Sequence, residues 1–226
     1  MDARRVMFGT PTFDKSVSVD FHTSLLQSVV ELQRQGISWC THTPTGQHWT
    51  DIARNETVRA FKESDCTDLL FIDADQGWDA KVLPRILRYD ELVVAALPPK
   101  KCDPPTFHCN ALTGRIASNG LMEALEAGTG FMRIKRSVFE RMDAVFPELR
   151  ELHEAEFGWP EIPYFQAGNT LDGRLGEDIF FCRQWVAMGE KIWIDADVTF
   201  SHRGSKVWKG NFYEHAVKTG LLKLAA

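Results

Sequence analysis

Apolar residues in the first hundred positions fall into short unbroken runs, separated by stretches with the spacing of a helix face. Val6 to Thr10 reads as a first strand, and Pro11-Thr12 stops it at a loop that runs to about Asp20. Phe21, Leu25, Val29 and Leu32 recur at helical spacing, with Gly36 placed as the C-terminal stop. Ile37 to Thr41 predicts a second strand, and Asp51 can cap a helix that continues to about Ser64. Asp68 to Asp73 and Leu92 to Leu97 are two more apolar strands. Pro84 would break one long helix after Asp79, so a short turn is expected and then a helix starting near Pro84, where proline suits the first turn. This strand-helix alternation predicts a parallel sheet covered by helices.

The second half has a different texture. Thr113-Gly114-Arg115, within Thr106 to Ala117, reads as a hairpin turn, and Phe131 to Ile134 as a short strand before a helix from about Ser137. Pro147 to Asn169 is rich in Glu, Pro and aromatics and is expected to be a long surface segment, a kind of loop that often carries function. Gly176-Glu177-Asp178 opens a helix ending near Gly189, Lys191 to Phe200 reads as one strand, and Asn211 to Leu222 as a last helix. At 226 residues the chain fits one α/β domain with a substantial core.

Charge and cysteine content narrow the class. A net charge of −5 lacks the basic footprint of a nucleic-acid binder; Lys100-Lys101 and the set Arg203, Lys206 and Lys209 are small local basic groups. Five cysteines at irregular spacing suggest reduced thiols in the cytoplasm, and Cys102, His108 and Cys109 match no standard zinc pattern. No apolar run approaches the roughly 20 residues of a membrane span. A soluble cytoplasmic protein is expected.

The most informative stretch is Asp68 to Trp78. Leu69 to Ile72 is continuously apolar, as in a central strand covered on both faces, and it ends in Asp73-Ala74-Asp75 with Gly77 turning the chain. Alternation along an extended segment puts Asp73 and Asp75 on one side. Two such carboxylates repel unless a cation lies between them, and oxygen ligands favour Mg²⁺ or Mn²⁺. An Asx-rich turn or helix capping is the structural alternative. A second copy, Asp195-Ala196-Asp197, follows Ile192-Trp193-Ile194, and periodicity does not separate the two. The first copy stands where a nucleotide would lie, at the carboxyl ends of strands, so the metal is assigned there.

Taken in order along the chain, Ile52-Ala53-Arg54-Asn55, Asp68 to Trp78, Gly128-Thr129-Gly130-Phe131-Met132, and Gly176-Glu177-Asp178 with Phe181-Cys182 resemble a GT-A nucleotide-sugar glycosyltransferase. Family-2-like enzymes of bacteria, phages and large viruses are the nearest in character. The resemblance implies an α/β, GT-A-like (Rossmann-like) fold with a mixed, mainly parallel sheet flanked by helices. It implies one domain over residues 1–226, with a nucleotide-binding half at about 1–100 and an acceptor-side half at about 101–226.

The implied activity is metal-dependent, inverting transfer from a nucleotide-diphosphate sugar, by default a UDP-sugar, to a hydroxyl acceptor. By the same resemblance Asp73 and Asp75 hold Mn²⁺ or Mg²⁺ against the diphosphate, with His202 as a further ligand. Asp178 takes the acceptor's proton and Glu177 orients the acceptor. Thr10, Pro11, Thr12, Arg54 and Asn55 meet the nucleotide, and Gly130 borders the donor sugar. Trp159 offers an acceptor-side sugar platform. Glycan, lipid, protein and modified nucleobase remain open as acceptors, and a retaining enzyme would not need the base. A catalytically silent carbohydrate-binding or assembly protein is the rival reading.

Overall fold

The computed structural model describes residues 4–108, 112–145, 163–170 and 173–222. The first half supplies β1 (Arg5–Gly9), α1 (Val19–Arg34), β2 (Ser38–His42), α2 (Thr50–Glu63), β3 (Asp68–Ile72), β4 (Gln76–Gly77), α3 (Val82–Arg88) and β5 (Val93–Ala95). The second half adds β6 (Leu112–Ile116), β7 (Met122–Ala124), β8 (Phe131–Lys135), α4 (Arg136–Val145), β9 (Gly168–Thr170), β10 (Gly173–Leu175) and α5 (Glu177–Ala187). It closes with β11 (Ile192–Ile194), β12 (Thr199–Arg203), β13 (Val207–Asn211) and α6 (Phe212–Thr219).

Eight strands form one sheet in the order β2-β1-β3-β8-β5-β11-β7-β6. β8 and β7 run against the others, so the sheet is mixed and mainly parallel, as expected. Strand β3 sits centrally, and its unbroken apolar run is explained by cover on both faces. Leu69 and Phe71 join one core cluster with Phe61, Phe139, Phe181 and Trp185, while Leu70 and Ile72 join another with Phe8, Phe21, Trp78 and Ile86. Helix α1 begins with Ser18 accepting from the Phe21 amide and ends before Gly36 at φ +71, so the Gly36 stop holds. Pro84 lies in the first turn of α3, where its missing N–H costs nothing.

Three local readings need correction. Asp51 does not cap α2: the helix starts at Thr50, and the Asp51 carboxylate instead accepts from the Ala167 amide at 3.2 Å. Thr113-Gly114-Arg115 is not a turn but an irregularity inside β6, where the register to β7 shifts and Gly114 takes φ +80. The chain reverses at Asn119-Gly120, with Gly120 at φ +85 and the Ala117 amide donating to the Leu121 carbonyl at 2.8 Å. Lys191 to Phe200 is not one strand either. It breaks after Ile194, so that β11 stays in the large sheet and β12 enters a second sheet, β13-β12-β4. Among the described residues no helix is long and apolar enough to cross a membrane.

Candidate functional site

The site forms where β3 ends and the chain doubles back into β4. That two-residue strand pairs antiparallel with β12, setting Gln76 opposite His202 and Gly77 opposite Ser201. Glycine is required here, since a Cβ on Gly77 would lie 2.5 Å from Ser201 Oγ and 2.9 Å from Asp20 Cβ. The pairing carries His202 to Asp75: Nε2 stands 3.3 Å from Asp75 Oδ1, and the Arg203 amide donates to the Asp75 carbonyl at 2.8 Å. His202 Nδ1 is 2.6 Å from the Pro99 carbonyl oxygen, which can only accept, so Nδ1 bears a hydrogen and Nε2 faces the carboxylate. Lys101 bonds the other oxygen of Asp75.

These contacts set the charge states. Burial alone would raise the Asp75 carboxyl, but His202 and Lys101 hold it below the usual range. Burial would lower His202, and its bonds to Asp75 and to the Pro99 carbonyl outweigh that and raise it.

Asp73 is engaged elsewhere. The Arg54 guanidinium, 4% exposed, reaches from α2 between two carboxylates, with Nη2 3.2 Å from Asp73 Oδ1 and Nε 3.3 Å from Glu177 Oε1. It also lies over the Phe71 ring at 5.0 Å. Opposite Asp73 is Gly130, whose carbonyl accepts from the Asp73 amide at 2.9 Å. A Cβ on Gly130 would come within 2.8 Å of Asp73 Oδ2 and 2.7 Å of Gln76 Nε2, so glycine keeps this floor open.

Glu177 and Asp178 occupy the first turn of α5, where acidic side chains suit the helix dipole. Asp178 Oδ1 accepts from the Ile179 amide at 2.8 Å. Burial first, and the neighbouring Glu177 charge second, push the Asp178 carboxyl above its usual range. A carboxyl displaced upward in a cavity is a candidate proton acceptor.

One cavity of about 1160 Å³ joins these groups. Pro11, Thr12, Arg54, Asp73, Asp75, Gly130, Glu177, Asp178 and His202 all line it. Two of the residues assigned to the nucleotide do not. Thr10 is buried in the sheet with its amide bonded to the His42 carbonyl, and Asn55 clamps the Phe165 backbone through both ends of its carboxamide, at 2.7 and 3.1 Å. Trp159 lies outside the described residues.

The cavity also contains residues to which the sequence alone assigned no role of their own. Gln76, Thr129 and Lys101 line it, as does the Phe13–His48 edge-on pair with centroids 4.8 Å apart. Thr12 Oγ1, Arg54 Nη1, Asp75 Oδ1, Gln76 Oε1 and Thr129 Oγ1 are buried without a hydrogen-bond partner. Such atoms normally have partners, so five of them along one cavity make it the candidate ligand site. The available signal was position: Gln76 directly follows the Asp-Ala-Asp, and Thr129 lies between the two glycines.

The three residues expected to share a cation are not gathered around one point. Among the described residues no three His, Cys, Asp or Glu side chains stand together as a metal cluster. Asp75 Oδ1 and His202 Nε2 do face each other, and Asp75 Oδ1 lacks a hydrogen-bond partner. That pair offers two donor atoms of the kind a Mg²⁺-like or Mn²⁺-like ion accepts.

No protein-family model matches the chain, and no curated protein matches it in sequence. Among solved structures, A197 from STIV aligns with a TM-score of 0.53 at 16% identity, covering 89% of this chain and 86% of its own. A glycosyltransferase involved in the glycosylation of the major capsid of PBCV-1 aligns at TM-score 0.36 and 13% identity, covering 71% of this chain and 78% of its own. The 4-diphosphocytidyl-2C-methyl-D-erythritol synthase of Anaerococcus prevotii DSM 20548 aligns at TM-score 0.36 and 9% identity, covering 82% and 97% respectively. The likeness to the STIV protein is one of fold.

Proposed function

We propose that this chain is a glycosyltransferase that moves a sugar from a nucleotide-diphosphate donor to a hydroxyl acceptor. The observation that carries the reading is that one cavity brings together a cation-ready pair, Asp75 with His202, and a carboxyl of raised pKa, Asp178. Each half of the transfer thereby has its group. Asp75 Oδ1 and His202 Nε2 would hold Mn²⁺ or Mg²⁺, which stabilises charge on a leaving diphosphate.

On the acceptor side, Asp178 removes the hydroxyl proton as that oxygen attacks the anomeric carbon. The sugar-phosphate bond breaks, and its electrons leave with the nucleoside diphosphate. Glu177 is anchored by Arg54 and orients the acceptor. Asp73, tied to the same guanidinium, sits over the Gly130 floor, where sugar hydroxyls meet Gln76 and Thr129. Pro11 and Thr12 form the nucleotide wall.

Calorimetric titration with a panel of nucleotide-sugars, with and without Mn²⁺, followed by mass spectrometry of reaction mixtures, tests this. Metal-dependent binding of one donor and a product heavier than the acceptor by one glycosyl unit are expected. Binding of free glycan without metal or nucleotide would instead make the chain a silent carbohydrate-binding protein.

A further inference from the structure

Lys101 is presented to Asp75 by a fastened segment. Pro99 bridges to Phe107, the Lys100 amide donates to the Thr106 carbonyl at 2.7 Å, and the Pro99 carbonyl holds His202 Nδ1. The Lys101 stem passes over Gly204, where a Cβ would stand 3.1 Å from Lys101 Cδ and 2.9 Å from Trp208 Cζ3. Its ammonium bonds Asp75 Oδ2 while His202 Nε2 faces Oδ1, so each carboxylate oxygen has a nitrogen of its own. Of the nearby cations, Arg203 pairs with Asp20 and Lys206 with Asp103, while Lys100 also lines the cavity.

Arg54 and Lys101 differ in freedom. Arg54 is sunk between Asp73 and Glu177, whereas the Lys101 side chain is 38% exposed. A lysine is a point charge on a flexible stem, able to leave one anion for another; a guanidinium locked between two carboxylates is not. A divalent ion arriving at Asp75 Oδ1 and His202 Nε2 would repel the ammonium, and the phosphates of a donor would be the anions within its reach.

We propose that Lys101 is a resident counter-ion that competes with a divalent cation for Asp75 and, once displaced, turns to the diphosphate of the nucleotide-sugar. The diphosphate half rests on the function proposed above. Its consequence is coupling: the metal binds weakly alone, and metal and nucleoside diphosphate each strengthen the other.

The test is Mn²⁺ titration by electron paramagnetic resonance on the wild type, Lys101→Met and Lys101→Arg, alone and with uridine diphosphate or guanosine diphosphate. Without nucleotide, Lys101→Met should bind Mn²⁺ about fivefold tighter, the scale of one partly exposed ion pair. With Mn²⁺ present, it should bind uridine diphosphate roughly tenfold more weakly, and Lys101→Arg should restore most of that affinity. Unchanged or weaker Mn²⁺ binding by Lys101→Met overturns the proposal, as does absence of Mn²⁺ binding in all three proteins. If Mn²⁺ binding tightens but no protein binds uridine or guanosine diphosphate, the nucleotide-sugar function falls while competition at Asp75 stands.

Discussion

Asp73-Ala74-Asp75 and Asp195-Ala196-Asp197 are the same tripeptide behind an apolar strand, and the fold surrounds them differently. Asp195 is 5% exposed and gripped by Arg85, with Nε 2.9 Å from Oδ2 and Nη2 3.2 Å from Oδ1. The Tyr89 hydroxyl adds a bond at 3.2 Å; burial and the Asp195 charge push that hydroxyl up to about 12, which keeps it a donor. Asp197 accepts from the Asn211 carboxamide at 3.2 Å. Around the second copy the chain supplies the partners itself, which is what a structural turn requires. Around the first, Gln76 Oε1 and Thr129 Oγ1 are left without partners, Asp75 Oδ1 has the His202 ion pair but no hydrogen bond, and the cavity is about 1160 Å³ against about 350 Å³ at the second copy. What distinguishes a site from a turn is thus the set of unmet polar atoms around the motif, and the motif itself does not carry that information.

If the open copy faces a working base, Asp178→Asn should produce the largest loss. Transfer should fall about 10² to 10⁴-fold, the range for removing a general base, with donor affinity unchanged by calorimetry. An equal loss of donor binding would make Asp178 a structural residue. Asp75→Ala should come next: metal-supported donor turnover should fall roughly 10² to 10³-fold, the scale of losing a stabilising group for developing charge. Its thermal midpoint should barely move, because the ion pair it removes is partly exposed.

Asp195→Ala inverts that pattern and breaks the contrast if it does not. Removing it leaves Arg85, which is about a third exposed and keeps the Asp197 carbonyl, without its fork partner and the Tyr89 hydroxyl without its acceptor, so stability should drop by about 1 to 2 kcal/mol. In a chain of this size that is roughly 2 to 8 °C in thermal midpoint, measurable by calorimetry. Activity per folded molecule should be kept. A variant that loses activity without losing stability would move the functional site to the second copy.

Much of the scaffold was legible because it rests on local pattern. The apolar run of β3, the Gly36 stop of α1 and the proline in the first turn of α3 are set by burial, left-handed backbone and a missing N–H, all visible within a few residues. The hairpin was misplaced because Gly114 and Gly120 both take positive φ, and only the pairing of β6 with β7 decides which one turns the chain. At the break between β11 and β12 Asp195 is held by Arg85, 110 residues away in sequence. Asn55 carries the polar side chain expected at a nucleotide, yet its partner is a backbone segment 110 residues on. Lys101 was visible only as half of a basic pair, since its meeting with Asp75 needs the Pro99–Phe107 bridge to aim it.

The smallest expected effect concerns pH and separates the two acidic residues of α5. Asp178 is raised above its ordinary 3.8 by burial first and by the Glu177 charge second, while Arg54 pulls the other way. A base works only when ionised, so activity should rise with pH through the elevated Asp178 value, placing the acid limb above the ordinary carboxylate range. The stability sign is opposite to that of a paired acid. An elevated folded value means that ionised Asp178 opposes folding above that pH, and the penalty is relieved as pH falls through it. Asp75, held below its ordinary value, instead adds stability above about 3.8 that is lost as pH falls through its lowered value. Glu177→Gln removes one charge that raises Asp178 and frees Arg54 from one of its two carboxylates, and both changes favour ionised Asp178. The acid limb of kcat should therefore move to lower pH in Glu177→Gln, with a residual elevation from burial. A limb that stays in place would show that burial alone sets the base and that Glu177 serves only the acceptor.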